Sequence, residues 1–380
     1  MTGPLEGIKV LDFSRLAPGP YGGMLLADLG ADVIRVDRGS AADVSRFGDI
    51  VGRGKRSVAL DLKNPDAVEA ALRILEGCDV LLEGFRPGVM ERLGLGPEDV
   101  MARNPRIVYA RLTGWGQEGP LAPRAGHDIN YIAVSGVLHA IGRANENPLP
   151  PLNLIGDFAG GGLLCAFGIA CALLERQQSG KGQVVDTAMV DGAMNLFSFL
   201  ASAVHANMWG PRGTNLLDTG AHFYEVYETS DGGYMSVGAI EPQFYAEWLD
   251  GLGMTDDEQF KKQHDASHWP ELKRRTAEIF KTKTRDEWDA IFSPRDACTY
   301  PVLSPKEAPT HPYNAERNTH VTGEFDVVQP APAPRFSRTP GAVTQGAPES
   351  GGHTTEVLKE AGYSDEEIAK LIETKAVSQA

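Results

Sequence analysis

Four cysteines in 380 residues are too few and too scattered for a disulfide scaffold. Cys165 and Cys171 stand six residues apart in an apolar helical stretch, nearly two turns at about 3.6 residues each, which suits no bridge. There is no CxxC pair and no HExxH string, so the nine histidines are not arranged as a zinc ribbon or a metalloprotease centre. A Walker A string is missing too, and the Gly/Pro turn at 16–23 lacks dinucleotide spacing, which sets aside NAD and ATP. Basic residues are in deficit: 36 Lys and Arg against 51 Asp and Glu leave a formal charge of -15. Such a surface disfavours nucleic acid and anionic membranes but permits a local basic cluster around a small anionic ligand. The longest weakly polar run, 158–174, contains four glycines and is short for a bilayer, so a buried helix is expected there. Residues 1–16 include Glu6 and Lys9 and have no signal-peptide layout. A cytoplasmic protein without nucleic-acid or membrane partners is expected.

What is present is an ordinary globular mixture, 42% hydrophobic and 23% charged, with length enough for two or three domains. Apolar runs at 8–13, 31–36, 57–62, 80–82 and 107–112 read as strands, and 21–29 and 65–75 as helices. Asn64 caps the second helix, and Pro65 occupies a first-turn position where its missing N–H costs nothing. Nearly continuous apolar strands joined by helices imply an open α/β domain with a parallel sheet covered on both faces. From Asp157 the pattern shifts to long helices at 158–178 and 188–209, with 182–186 extended between them. A linker at 213–219 leads to a hairpin signal, 223–229 and 234–239 around Asp231-Gly232-Gly233, then helices at 244–252 and 269–280. Closely spaced prolines make 326–353 an extended return segment, followed by helices at 354–360 and 364–373, where Ser364 and Glu367 form a capping box. The expected division is a large Rossmann-like domain over 1–219 with long connecting helices, a small α+β domain over 220–325, and a linker with C-terminal return over 326–380.

Three positions have the residue types for proton chemistry. Asp157 directly precedes an apolar helix and could simply cap it, but Gly160, Gly161 and Gly162 follow. Each glycine lowers helix propensity by up to about 1 kcal/mol relative to alanine, so three together point to close approach of another group to the backbone. His127, in GHDINY at 126–131, suits proton exchange at neutral pH, or equally a hydrogen-bonded structural role. Glu241, in GAIEPQFY at 238–245, occupies a strand-to-helix turn from which an acid can also orient a histidine. Arg38, Arg53, Lys55, Arg56, Lys63, Arg86 and Arg92 are candidates for anion contact. Several of these follow the ends of successive strands, and parallel strands deliver those ends to one edge.

Further strings occur in a fixed order: LLADLGADVI at 25–34, EGFRPG at 83–88, TGWGQ at 113–117, NLIGDFAGGG at 153–162 and GKGQVVD at 180–186. With those around His127 and Glu241, the chain resembles the alpha-methylacyl-CoA racemases, within the wider family III CoA-transferase group. The likeness runs along essentially the whole chain. It implies the family III CoA-transferase fold, an interlocked homodimer, and a site shared between the large domain of one subunit and the small domain of the other. It implies His127 and Asp157 as the acid–base pair, with Glu241 completing the site. It also implies coenzyme A contacts at Arg38, Leu60, Asp61, Leu62, Lys63, Gly84, Phe85, Arg86, Arg92, Gly126, His127, Asp128, Ile129, Asn130 and Tyr131.

The implied substrate is a 2-methylacyl-CoA, with coenzyme A as part of the substrate and no metal or redox cofactor. Neutral His127 would take the α-proton of the S centre while protonated Asp157 delivers one to the opposite face, the roles exchanging for the R centre. That requires a raised Asp157 pKa, and backbone N–H groups near the helix start would serve the enolate oxygen. The rival reading is a CoA-transferase in which Asp157 attacks the thioester and forms an anhydride. A third is a CoA-binding subunit with a fossil site.

Overall fold

The apolar runs form a parallel sheet in the computed structural model, which describes residues 3–38, 49–323 and 326–380. Its strands are β1 (Lys9–Asp12), β2 (Asp32–Asp37), β3 (Lys55–Leu60), β4 (Val80–Glu83), β5 (Val108–Thr113) and β6 (Gln183–Ala188). A terminal strand, Val377–Ser378, pairs antiparallel with β3, placing Val377 opposite Leu60. The order across the sheet is terminal strand, β3, β2, β1, β4, β5, β6. The chain thus winds outward from β1 one way, returns to β4 beside β1, and winds outward the other way. At such a reversal the connections leave two neighbouring strands toward opposite faces, and a crevice opens at their carboxyl ends.

Successive side chains on a strand point to opposite faces, so the strands feed two cores at once. Leu11, Ile34 and Val58 pack with Ala67, Ala70 and Ile74 of the helix Pro65–Leu75 and with Val357, Leu358 and Ile368 from the chain's end. Val10, Val33, Leu82 and Val108 pack on the other face with Leu26, Cys165, Ile169 and Leu173. Burial on both sides is why these strands read as continuous apolar runs. The returning segment is held by particular bonds. The Asp61 N–H donates to Ala376 O at 2.9 Å, and the Ala59 N–H to Thr354 Oγ1 at 3.0 Å.

The predicted helix at 158–178 begins earlier, as a ten-residue π-helix, Leu154–Leu163, that continues into the α-helix Leu164–Ser179. Together they are long and apolar enough to cross a membrane by length and composition. One side, including Cys165 and Ile169, is nevertheless buried against the sheet. The three glycines are explained by protein, not ligand. A Cβ on Gly160 would lie 2.8 Å from Ala193 N, one on Gly161 3.0 Å from Pro18 Cγ, and one on Gly162 2.6 Å from Pro18 O. What approaches their backbone is the start of the helix Gly19–Asp28 and the helix Met189–Leu196. The expected helix at 188–209 is two, Met189–Leu196 and Ser198–His205.

Two compact units divide the chain: Met1–Ser135, Leu152–Leu196 and Pro312–Ala380 in the first, Gly136–Pro151 and Phe197–His311 in the second. The second thus differs from the 220–325 expected. Arg143 reaches Glu225 at 2.6 Å and Arg212 donates to His139 O at 2.9 Å, which fastens 136–151 to it. Arg53 donates to Gln329 Oε1 at 3.0 Å and Pro330 O at 2.8 Å, fastening 329–330 to the first. The second unit is built on an antiparallel sheet, β7 (Tyr224–Glu228), β8 (Tyr234–Gly238) and β9 (Thr299–Pro301), with an aromatic core of Trp248, Phe280, Trp288 and Phe292.

Three of the seven cations proposed for anion contact serve the fold instead. Arg53 forks onto Asp28 at 2.6 and 3.0 Å, and Arg56 binds Asp32, Glu356 and Glu360. Lys55 is fully buried, with Nζ 3.1 Å from Asp12 Oδ2 and 2.9 Å from Pro20 O. Removing the lysine would leave the Asp12 carboxylate buried without its cation, so Lys55→Ala is expected to destabilise the first unit by about 3–5 kcal/mol. Urea unfolding followed by tyrosine and tryptophan fluorescence measures it.

Candidate active site

Each segment at the crevice is set by bonds made at a strand end. After β1, Asp12 Oδ1 accepts the Ser14 N–H at 2.9 Å, which turns residues 13–19 over the sheet edge. After β4, the buried Glu83 carboxylate accepts the Phe85 N–H at 2.7 Å and Arg111 Nε at 2.8 Å, shaping the Gly84–Phe85–Arg86 turn. After β5, Gly114 lies under the Tyr131 ring, where a Cβ would come within 2.1 Å of it. The Tyr131 hydroxyl donates to Gly126 O, and its ring meets Trp115 edge-on at 4.8 Å. His127 precedes the helix Asp128–Val134, and its N–H donates to Asn130 Oδ1 at 3.0 Å.

These segments enclose a cavity of about 630 Å³ at the carboxyl ends of β1, β4 and β5. His127 and Asp157 both line it, with Tyr131 and the cations Arg15, Arg86 and Arg124. Asp157 lies in the first turn of the π-helix. Its N–H donates to Asp128 Oδ2 at 2.8 Å, and its carboxylate accepts Asn153 Nδ2 at 3.0 Å. Burial pushes the Asp157 pKa up and the Asp128 charge adds to this, against the Asn153 bond and the His127 charge. That is the direction a proton donor needs, and its largest cause is desolvation by the protein itself. The Tyr131 phenol is pushed up to about 12, by burial first and then by the Asp157 charge, so it remains a neutral donor. The Asp157 N–H, expected among the donors to an enolate oxygen, is already bonded to Asp128.

Of the residues singled out by sequence, Gly84, Phe85, Arg86, Gly126, His127, Tyr131 and Asp157 meet at this cavity. Arg38, Arg92, Asp128, Ile129, Asn130 and the stretch Leu60, Asp61, Leu62, Lys63 are not in its wall. Leu60 is a core side chain at the end of β3, and the Asn130 side chain is engaged in accepting the His127 N–H at the helix start. Glu241 starts the helix Pro242–Leu252 in the second unit and is likewise not in the wall. Arg15 and Arg124 were missed, although the rule that picked out Arg38 after β2 and Arg86 after β4 finds Arg15 after β1; Arg124 lies on the longer stretch between β5 and the helix Asp128–Val134. Burial first, then the Arg38 charge, lowers the Arg15 pKa, so an anion near this pair relieves their repulsion. GxGxxG spacing does occur, at 114–119, but turns follow it and no helix starts before Asp128, so it lacks the nucleotide-binding context. Among the described residues no His, Cys, Asp and Glu cluster could hold a metal ion.

The match to the CoA-transferase family III model covers residues 5–354. The chain belongs to CoA-transferase family III. A human and a mouse relative, each named alpha-methylacyl-CoA racemase, are 51% and 50% identical to it. The human match covers 98% of this chain and 97% of that one, the mouse match 97% and 96%. The crystal structure of a CaiB/BaiF family protein from Brucella suis superposes with a TM-score of 0.84 at 24% identity, covering 95% of this chain and 100% of that one. The family fold, with its Rossmann-like α/β part, is therefore that of this chain.

An acid whose pKa is raised by folding binds its proton more tightly in the native state, so its contribution to stability falls as pH rises through the folded value. Asp157→Asn is accordingly expected to melt at or above the parent temperature at neutral pH. The difference should vanish below the ordinary carboxylate range, where both states are protonated, and thermal melts across pH read it.

Proposed function

We propose that this protein interconverts (2R)- and (2S)-2-methylacyl-CoA thioesters by 1,1-proton transfer through an enolate. The observation that carries the reading is one cavity wall holding both an imidazole, His127, and a carboxyl, Asp157, whose acidity burial weakens. The names of the human and mouse relatives agree with it. A thioester makes its α-proton removable because the charge moves onto the carbonyl oxygen. Neutral His127 takes the proton from one face, and protonated Asp157 returns one to the other. The reverse reaction exchanges their roles.

Transfer of CoA through an Asp157 anhydride is the rival, supported by the family name. The anhydride route has no need of an imidazole in the same cavity wall, whereas proton transfer across two faces uses both His127 and Asp157. Arg15, Arg86 and Arg124 would meet the anionic coenzyme A, whose length lets Arg38, the Leu60 to Lys63 turn and Arg92 serve as contacts farther along the same sheet edge. Glu241 is proposed as the group that orients His127. The four free thiols suit a reducing compartment, and a cytoplasmic location is part of the proposal.

We further propose an interlocked homodimer. Leu163, Phe167 and Leu174 recur along one side of the π/α-helix at 50%, 64% and 62% exposure, opposite the side packed on the sheet. Met194 and Leu196 nearby are exposed as well. A contiguous apolar stripe of this kind needs a cover, and a second copy supplies a matching one.

Incubating enantiopure 2-methylacyl-CoA in deuterated water, without any acceptor acid, should racemise it and place deuterium at C2. Asp157→Asn and His127→Ala should each slow this by about 10²–10⁴-fold. Dependence on an added carboxylic acid, with a trapped Asp157-linked intermediate, would instead mark a transferase. By light scattering the parent should run as a dimer, whereas Phe167→Glu should shift it toward monomer at micromolar concentration.

A further inference from the structure

Asp128 is an odd residue to find where it is. The side chain is only 4% exposed, and its Oδ1 is buried without a hydrogen-bond partner. Among the described residues it forms no ion pair. Its Oδ2 accepts a single bond, from the Asp157 N–H at 2.8 Å. Gly156 makes room for it: a Cβ there would lie 2.7 Å from Oδ2 and 3.0 Å from Cγ. A buried acid this sparsely satisfied weakens the fold, so its presence calls for a reason other than stability.

The reason lies in what the bond joins. On one side is the helix Asp128–Val134, whose preceding residue is His127. On the other is the first turn of the π-helix, which carries Asp157. Backbone N–H groups in a first helical turn have no partner within the helix, so that turn is held only by outside acceptors. We infer that Asp128 is a positioning residue, whose hydrogen bond to the Asp157 backbone sets the spacing between the two proton-handling groups. The inference rests on the racemase reading. Transfer across two faces of one carbon is sensitive to placement, a misplacement of about 1 Å costing on the order of 10²-fold in rate. The Asp128 charge also acts in the useful sense, helping to keep the Asp157 proton in place.

The test follows C2 deuterium exchange in enantiopure 2-methylacyl-CoA with the parent, Asp128→Ala and Asp128→Asn, each at limiting and saturating substrate. Asp128→Ala removes the acceptor and should lower kcat by about 10–100-fold while KM stays within about threefold. Asp128→Asn leaves an amide oxygen in the acceptor position and should recover at least about a third of the parent kcat. Parent-like kcat in Asp128→Ala, or equal loss in both variants, would overturn the inference alone. No exchange in the parent would overturn the racemase reading and this inference with it. Should Asp128→Ala fail to fold, Asp128→Asn decides by itself, a loss beyond about tenfold in kcat overturning the proposal.

Discussion

Two neighbouring parallel strands, β1 and β4, send the chain to opposite faces of the sheet, and the site depends on that reversal. A crevice at their carboxyl ends follows from topology alone. Its floor is kept in place by a fully buried ion pair, Lys55 with Asp12, in which each partner has a second task. Asp12 turns the chain after β1 through the Ser14 N–H, and Lys55 holds Pro20 O at the start of the next helix. The cavity wall after β1 is therefore an extension of the core. Glu83 does the same after β4, tying the Phe85 N–H to Arg111.

Cations are sorted by the same geometry. Arg53, Lys55 and Arg56 lie on or beside β3, where side chains face either the core or the returning chain, and each meets acids. Arg15, Arg86 and Arg124 lie beyond strand ends, on turns that face the cavity. A chain of net charge -15 can thus present a positive wall to an anionic ligand. Burial acts selectively as well. It raises Asp157 at the cavity, where a retained proton is useful. In the second unit it lowers His222 to about 3, holding it neutral beside the Tyr245 hydroxyl at 2.7 Å.

Close packing explains residues that look permissive in isolation. Gly160, Gly161 and Gly162 let helix backbones touch, Gly114 accepts the Tyr131 ring, and Gly156 admits the Asp128 carboxylate. At Gly114 and Gly156 a side chain would displace the Tyr131 ring and the Asp128 carboxylate, which shape the segment leading to His127 and hold the Asp157 N–H. The apolar outer side of the same π/α-helix is left exposed by the described residues, in keeping with the second copy proposed to cover it.

Local sequence determined a good deal. Nearly continuous apolar runs placed β1 to β5 within two residues of their ends, because strands buried on both faces have little freedom in composition. Asn64 with Pro65, and Ser364 with Glu367, marked helix starts, because capping is a matter of neighbours in sequence. The strings around His127 and Asp157 could be read as well, since each is a short contiguous segment. Only the tertiary structure decided which cations serve the fold, because pairs such as Arg53–Asp28 and Arg56–Glu360 join residues 25 and 304 positions apart. It alone decided the strand order, the membership of 136–151 in the second unit, and the Asp128 bond to Asp157. Those depend on which surfaces meet in space, and a linear pattern of residue types carries no record of that.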